Sequence, residues 1–253
     1  MDYSKDFEEG YQDTELGYIH FMHHAGDSAP ILFLHGFGAD LMVWQRLFAY
    51  FNENFDIYTI DLLGHGLSSA PHIQYTVSAQ SNSIGEFINK AIHTEPYIFG
   101  HSYGGWIGAY YAHANPLKGL VLEDPAGIKE NFDEILRDGN VEEYKQKMVS
   151  TAMRLNNNKE YVLKSIVDND FGEEQLSAER LSGIHARVLI LWGESDNVID
   201  PKFSGVISKH INGSTLKFIK GSGHNPHYDN PEEVYLQIIN FVNAEGVQNG
   251  VGE

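Results

Sequence analysis

Residues 97–111 read YIFGHSYGGWIGAYY, so an apolar run leads into a glycine-rich pentapeptide and a second apolar run follows it. The pentapeptide, residues 100–104, matches the pattern G-x-S-x-G. The first run predicts a strand and the second predicts a helix. A serine at a sharp strand-to-helix turn takes a strained backbone conformation that exposes its Oγ. We therefore predict that Ser102 is a nucleophile and that larger side chains at Gly100 and Gly104 would collide.

Similar apolar runs occur on both sides of this stretch. Five of them predict further buried strands, at 31–34, 57–60, 119–122, 188–192 and 216–219, and residues 10–24 predict an antiparallel pair that turns near 14–17. Amphipathic stretches that predict helices separate them, at 40–53, 77–93, 103–114, 201–210 and 231–243. This alternation predicts an α/β fold with a mostly parallel sheet flanked by helices.

Residues 128–181 interrupt the alternation. They contain helix-like patches at 141–148 and 161–167 but no convincing strand. The segment is too long for a simple loop. We therefore expect a helical insertion between two strands of the sheet.

A serine hydroxyl needs a neighbouring base, and the pKa of histidine near neutrality suits that role. The chain has 13 histidines. His224 is distinguished by its place, since it follows the last predicted strand through Gly-Ser-Gly and precedes the last predicted helix. Loops at the carboxyl ends of parallel strands converge on one crevice, so we expect His224 to approach Ser102. The alternative is an exposed loop histidine.

A carboxylate on a third such loop would hold the imidazole in one tautomer. Asp196 follows the predicted strand 188–192 and gives the chain order Ser, Asp, His expected for this architecture. Two alternatives remain open. Asp124 follows the strand 119–122, and Glu194 lies two residues before Asp196. We favour Asp196.

Oxyanion donors are expected beside the nucleophile. Gly36 and Gly38 follow the strand 31–34 and allow the backbone to pass close to Ser102. The second donor normally comes from the residue after the nucleophile. We expect the backbone amides of Phe37 and Tyr103 to form this pair. The alternative is that residues 35–38 form a turn needed only for chain reversal.

Five segments together resemble the α/β-hydrolase superfamily, in particular its esterase-like members with a small cap. They are HGFG at 35–38, DLLGHGLS at 61–68, GHSYGG at 100–105, GESD at 193–196 and GH at 223–224. They occur in the family's order and span about 16–242. Dehalogenases and epoxide hydrolases of this fold carry aspartate where this chain has Ser102.

The resemblance implies an eight-stranded, mostly parallel sheet whose first strand pair is antiparallel. It also implies an α/β-hydrolase core at 1–127 and 182–253, with 128–181 as a helical cap over the active site. The expected function is hydrolysis of small carboxylic esters through an acyl-enzyme intermediate. Two alternatives remain, namely a C–C bond hydrolase acting on ketonic substrates and a ligand-binding receptor with the same fold.

Composition limits the other classes of function. The chain has 253 residues, of which 42% are apolar, enough for one sizeable core. A formal net charge of −18 disfavours nucleic acid and membrane surfaces as partners. Without cysteine there are no disulfides or thiolate nucleophiles. The N-terminal residues do not resemble a secretory signal, so we expect a cytoplasmic protein.

No cofactor or metal is expected from the motifs. The chain contains no G-x-G-x-x-G, Walker A or H-E-x-x-H pattern. His224 and His227 are three residues apart, but Pro226 between them interrupts a helical register. We therefore expect a small-molecule ester as the partner, while the oligomeric state is not determined by the sequence.

Overall fold

The computed structural model describes residues 7–51, 53–155 and 158–244. Residue 52 of the expected helix 40–53 lies outside these residues. So do 1–6 and 245–253 of the expected core, and 156–157 of the expected cap.

The strands of the described chain form a single eight-stranded sheet. They are β1 (Glu8–Thr14), β2 (Gly17–His24), β3 (Ile31–Leu34), β4 (Ile57–Ile60), β5 (Tyr97–His101), β6 (Gly119–Glu123), β7 (Val188–Gly193) and β8 (Thr215–Ile219). Their order is β1-β2-β4-β3-β5-β6-β7-β8. β2 pairs antiparallel with β1 and β4, and all other pairs are parallel. The predicted fold class is confirmed.

Helices in the described chain cover both faces of the sheet. They are α1 (Gln45–Phe48), α2 (Val77–Phe87), α3 (Tyr103–Ala114), α4 (Lys129–Asp138), α5 (Val141–Ala152), α6 (Glu160–Asn169), α7 (Ala178–Ser182), α8 (Ser204–His210), α9 (Pro226–Asp229) and α10 (Pro231–Asn243). Every residue of β3 through β7 is buried. This burial explains why those strands are apolar throughout rather than alternating.

The two faces of the sheet belong to two separate apolar clusters. Leu32 and Leu34 of β3 point to the cluster that includes α2 and α3, whereas Ile31 and Phe33 point to the cluster that includes α1 and α10. Successive side chains of a strand project to opposite faces, so a single short run of β3 contributes to both cores.

Two expected helices differ from the structure. The stretch 40–53 forms only a 3₁₀ turn, Leu41–Trp44, and α1, because the chain then turns back to begin β4 at Ile57. The stretch 77–93 forms α2 and a π-helical end, Ile88–Ile92, where His93 at φ 65° stops the helix.

Four helices of the described chain, α4 to α7, lie between β6 and β7. The ends of this segment meet, since the Leu176 amide donates to the Gly127 carbonyl at 2.7 Å and Ile128 forms a parallel bridge with Leu176. Aromatic contacts fill the interior, with Phe132 beside Trp106, Tyr144 and Phe171. This packing brings the inserted helices against α3, directly after Ser102.

Candidate active site

Ser102 lies at the turn between β5 and α3. Its backbone has φ 50° and ψ −113°, a left-handed φ that a residue with a side chain rarely adopts. The Ser102 amide donates to the Glu123 carbonyl at 2.9 Å, and the Ser102 carbonyl accepts from the amides of Trp106 and Ala126. These bonds to β6, α3 and the β6–α4 loop fix the strained residue in place.

The glycines of the pentapeptide are required by close approaches. A Cβ at Gly100 would lie 2.5 Å from the carbonyl oxygen of Gly104, across the turn. A Cβ at Gly104 would lie 2.2 Å from the carbonyl oxygen of Leu34, in β3. The predicted collision is therefore confirmed at both positions, although at Gly104 the obstacle is the neighbouring strand.

The structure brings Ser102, His224 and Asp196 together. His224 Nε2 lies 3.0 Å from Ser102 Oγ, and His224 Nδ1 lies 2.8 Å from Asp196 Oδ2. The second oxygen of Asp196 accepts from the amides of Val198 at 2.8 Å and Ile199 at 3.1 Å. The three residues stand on the loops after β5, β7 and β8, as expected from the carboxyl ends of parallel strands.

Electrostatics favour an ionised Asp196. Burial acts to raise the pKa of this carboxyl, but hydrogen bonding and charge at His224, with the amides of Val198 and Ile199, hold the pKa below its ordinary value. An ionised Asp196 accepts a hydrogen bond from Nδ1–H of His224. This tautomer leaves Nε2 free to accept from the serine hydroxyl.

The two alternative acids occupy different positions. Glu194 is exposed and makes no bond to His224. Asp124 is fully buried, with a backbone φ of 42°, and its Oδ1 accepts from the Gly193 amide at 2.9 Å. Burial, the nearby charge of Glu123 and the proximity of Asp196 raise the pKa of Asp124 to about 10. Asp124 is consequently protonated at neutral pH.

The expected oxyanion donors lie beside the nucleophile. A Cβ at Gly36 would be 3.4 Å from the Ser102 Cβ, which places the segment after β3 against the serine. Neither the Phe37 amide nor the Tyr103 amide donates to another group of the described chain. Tyr103 is the first residue of α3, where the helix dipole favours negative charge. Phe37, Tyr103 and Ser102 line the same cavity, and both amides are free to donate there.

Three buried residues behind the site were not predicted. His101 Nε2 donates to the carbonyl of His224 at 2.7 Å, and His227 Nδ1 lies 2.5 Å from Glu123 Oε2. Burial lowers the pKa of both His101 and His227 to about 3, so both rings are neutral. The sheet register pairs His101 with Glu123. Their positions at the ends of adjacent strands are the signal that sequence reasoning left unused.

Potential metal ligands occur in two groups of the described chain, His101 with Glu123 and His227, and Asp124 with Asp196 and His224. Hydrogen bonds already engage the first group through Glu123 and His227, and the second through Asp196 and His224. His227 directs its Nδ1 to Glu123.

A cavity of about 250 Å³ opens at Ser102. Its wall includes Trp106 from the core and side chains from α4, α5 and α6, and most of it is apolar. A larger groove of about 490 Å³ lies between α5 and α6 and does not reach the serine. The smaller cavity is therefore the space available to a group bound at Ser102.

Comparisons with known proteins agree with this geometry. A family model described as alpha/beta hydrolase fold matches residues 29–161. An uncharacterized protein of Mycobacterium tuberculosis is 23% identical over 268 residues, which cover 89% of this chain and 78% of that protein.

Solved structures of hydrolases resemble the whole described chain. A membrane phospholipase A, described as a bacterial virulence factor, has a TM-score of 0.76 and 25% identity, covering 97% of this chain and 88% of that one. A thermophilic esterase from Thermogutta terrifontis has a TM-score of 0.74 and 20% identity, covering 94% of this chain and 98% of that one. At that identity the second likeness shows the fold alone. Within the described chain, no helix combines the length and apolarity needed to cross a bilayer.

Proposed function

This chain belongs to the α/β-hydrolase family, and we propose that it is a serine hydrolase that cleaves small carboxylic esters through an acyl-enzyme intermediate. One observation carries the proposal. The hydrogen bonds from Ser102 Oγ to His224 and from His224 to Asp196, at 3.0 Å and 2.8 Å, form a continuous chain that ends at an accessible hydroxyl.

Acylation begins when Ser102 Oγ attacks the ester carbonyl carbon and its proton moves to His224 Nε2. Asp196 stabilises the imidazolium that forms and keeps Nδ1 protonated. The carbonyl oxygen becomes an oxyanion, to which the amides of Phe37 and Tyr103 donate. When this intermediate collapses, the bond to the alkoxy oxygen breaks and His224 Nε2 donates its proton to the departing alcohol.

Deacylation repeats these steps with water. His224 Nε2 removes a proton from a water molecule, whose oxygen attacks the acyl carbon. The same two amides stabilise the second oxyanion. The bond to Ser102 Oγ then breaks, the serine recovers its proton from His224, and the carboxylic acid leaves.

We also propose that residues 128–181 form a cap that shapes the choice of substrate. Phe132, Tyr144, Met148 and Ile166 from this segment line the cavity at Ser102. Their mostly apolar surface and the modest volume favour a short acyl or alkyl group. The similar solved structure of a membrane phospholipase A, at 25% identity, supports ester chemistry.

The test is a panel of p-nitrophenyl esters with increasing acyl length, assayed with the wild type and Ser102→Ala. We expect turnover of the short esters and a loss of about 10⁴-fold or more in kcat for Ser102→Ala. The matched control is Ser195→Ala, which removes an exposed hydroxyl near the same site and keeps wild-type turnover.

Three outcomes contradict the ester hydrolase. Turnover that survives Ser102→Ala rejects the serine mechanism. Cleavage of a vinylogous diketone without cleavage of any ester indicates a C–C bond hydrolase. Tight binding of an ester without turnover indicates a receptor.

A further inference from the structure

The cavity at Ser102 contains one carboxyl group among its described lining residues, that of Asp170 at the carboxyl end of α6. Asp170 is only 6% exposed, and the rest of the wall is mostly aromatic and aliphatic. The reaction proposed above makes no use of this residue. A carboxyl group is expensive to bury in apolar surroundings unless it is paired.

Among the described residues, one of the two Asp170 oxygens has a hydrogen-bond partner. Tyr144 Oη donates to Asp170 Oδ2 at 3.0 Å. Asp170 Oδ1 has no hydrogen-bond partner among the described residues. It also keeps some accessible surface, so it is not fully enclosed. Asp170 lines the cavity, so this oxygen is within reach of a group bound there. Tyr144, which also lines the cavity, holds the carboxyl group in one orientation.

The protonation equilibrium of Asp170 allows it to bind either an uncharged donor or a cationic donor. Burial raises the pKa of Asp170 to about 8, against the hydrogen bond from Tyr144 and the charge of Lys145, which lower it. At neutral pH the carboxyl group is mainly neutral. Because Oδ2 accepts from Tyr144, the proton lies on Oδ1, whose hydroxyl oxygen still has lone pairs that accept from a donor. A bound ammonium group would favour the ionised form.

A group that enters the cavity thus meets a carboxyl oxygen that no described residue pairs. A methyl end would leave Asp170 Oδ1 without a partner and without water, whereas a donor would satisfy it. Sites built to hydrogen-bond a substrate reject analogues that lack the donor more strongly than apolar pockets reject an extra methylene.

We propose that the cavity selects esters in which the group bound there is short and ends in a hydrogen-bond donor, a hydroxyl or an ammonium, that binds Asp170. Turnover of such esters depends on the function proposed above, but binding of the donor does not.

The test compares esters that differ only at the chain end. p-Nitrophenyl heptanoate ends in methyl, and the ω-hydroxyhexanoate and ω-aminohexanoate esters replace that methyl by hydroxyl or ammonium. Shorter homologues of each vary the reach, and hexyl acetate with pentanediol monoacetate presents the same ends from the alcohol side. We expect kcat/KM to be about tenfold higher for the donor-ended esters of the best-fitting length.

Variants assign the preference to Asp170. Asp170→Leu removes the acceptor, and we expect it to abolish the preference for both donors. Asp170→Asn keeps an acceptor oxygen but cannot ionise, so it should retain the preference for hydroxyl and lose that for ammonium. The control is Glu160→Gln on the same helix, whose side chain is exposed and pairs with Lys164 at 2.7 Å. It should keep the wild-type ratios.

Equal kcat/KM for methyl-ended and donor-ended esters from both sides overturns the proposal, as does a preference that survives Asp170→Leu. If Asp170→Leu does not fold, the contrast between hydroxyl and ammonium in Asp170→Asn decides. If the wild type cleaves no ester, the proposed function fails separately. Calorimetric titration of pentylamine into Ser102→Ala then tests the site directly. Binding to Ser102→Ala that is lost in the double variant Ser102→Ala/Asp170→Asn supports the proposal. Absence of binding to Ser102→Ala overturns it.

Discussion

The backbone of Ser102 is strained, and both its amide and its carbonyl are hydrogen-bonded. A left-handed φ at a residue with a side chain costs about 1–3 kcal/mol and persists only where the surroundings impose it. Here the amide and the carbonyl of Ser102 are engaged by three partners, Glu123, Trp106 and Ala126. In this strained conformation Ser102 Oγ lies 3.0 Å from Nε2 of His224.

The two aspartates near His224 give a residue-scale prediction. Asp196 is ionised, and in the proposed mechanism its charge stabilises the imidazolium, so Asp196→Asn should lower kcat by about 10³–10⁴-fold. Asp124 is already neutral, and an Asn oxygen can accept from the Gly193 amide in its place. Asp124→Asn should therefore keep kcat within about tenfold. Steady-state kinetics on p-nitrophenyl acetate measure both.

The paired result separates the two acids. A large loss in Asp124→Asn together with a small loss in Asp196→Asn would assign the orienting role to Asp124 instead. Circular dichroism of both variants controls for folding.

Sequence order was sufficient to select Ser102, His224 and Asp196 as candidates, because each follows a strand on the same edge of a parallel sheet. Their catalytic roles remain a prediction. The distances among them, and the protonation of Asp124, depend on how distant segments bury these groups, which no local pattern encodes. His101 and Glu123 were missed because the pairing of β5 with β6 had to be known first.

At the scale of elements, the loops after β7 and β8 must approach closely to join Asp196 to His224. A Cβ at Gly193, the last residue of β7, would lie 1.9 Å from the carbonyl oxygen of Gly223. Glycine at this position therefore sets the spacing between the loop that carries Asp196 and the loop that carries His224.

Gly193→Ala tests that spacing. We expect it to lower the free energy of unfolding by about 1–3 kcal/mol or more and to reduce kcat, since the displaced Gly223 precedes His224. Urea denaturation and esterase assays measure the two effects.

The control is Gly205→Ala in α8, where a Cβ meets no atom within 4 Å. Removing a helical glycine should raise the free energy of unfolding by about 0.5–1 kcal/mol without changing kcat. Equal stability and activity in Gly193→Ala and the wild type would show that the contact does not constrain the loops.

Elements buried on both faces were the easiest to predict. β3, β4 and β7 stand out as continuous apolar runs, and α10 as a periodic one. α4 was missed because its sequence, KENFDEILRD, is mostly charged and buries little beyond Phe132. The strand order, with β3 between β4 and β5, arises from crossovers that apolar runs do not specify.

Across the whole molecule, two buried acids with raised pKa values make the stability of this acidic protein depend on pH. The formal net charge is −18, and Asp124 and Asp170 have pKa values raised to about 10 and about 8. In the unfolded chain both ionise near pH 4, so between pH 7 and these raised values the unfolded state binds fewer protons than the folded state. Raising the pH therefore favours unfolding.

We predict that the free energy of unfolding falls from pH 7 to pH 9, with each group that stays protonated contributing up to about 1.4 kcal/mol per pH unit. Urea denaturation at the two pH values measures the change. Asp124→Asn has no proton to lose, so its stability should fall less steeply than that of the wild type. Identical slopes would indicate that Asp124 is ionised in the folded protein.

The proposed mechanism requires the hydroxyl of Ser102 to become covalently acylated during turnover. The most direct measurement is acid quenching of the wild type during the hydrolysis of p-nitrophenyl acetate, followed by mass spectrometry of its peptides. We predict one acetyl group on the peptide that contains Ser102, lost on longer incubation without substrate and absent in Ser102→Ala. Acetylation at another residue that forms and decays at the rate of turnover would contradict the mechanism.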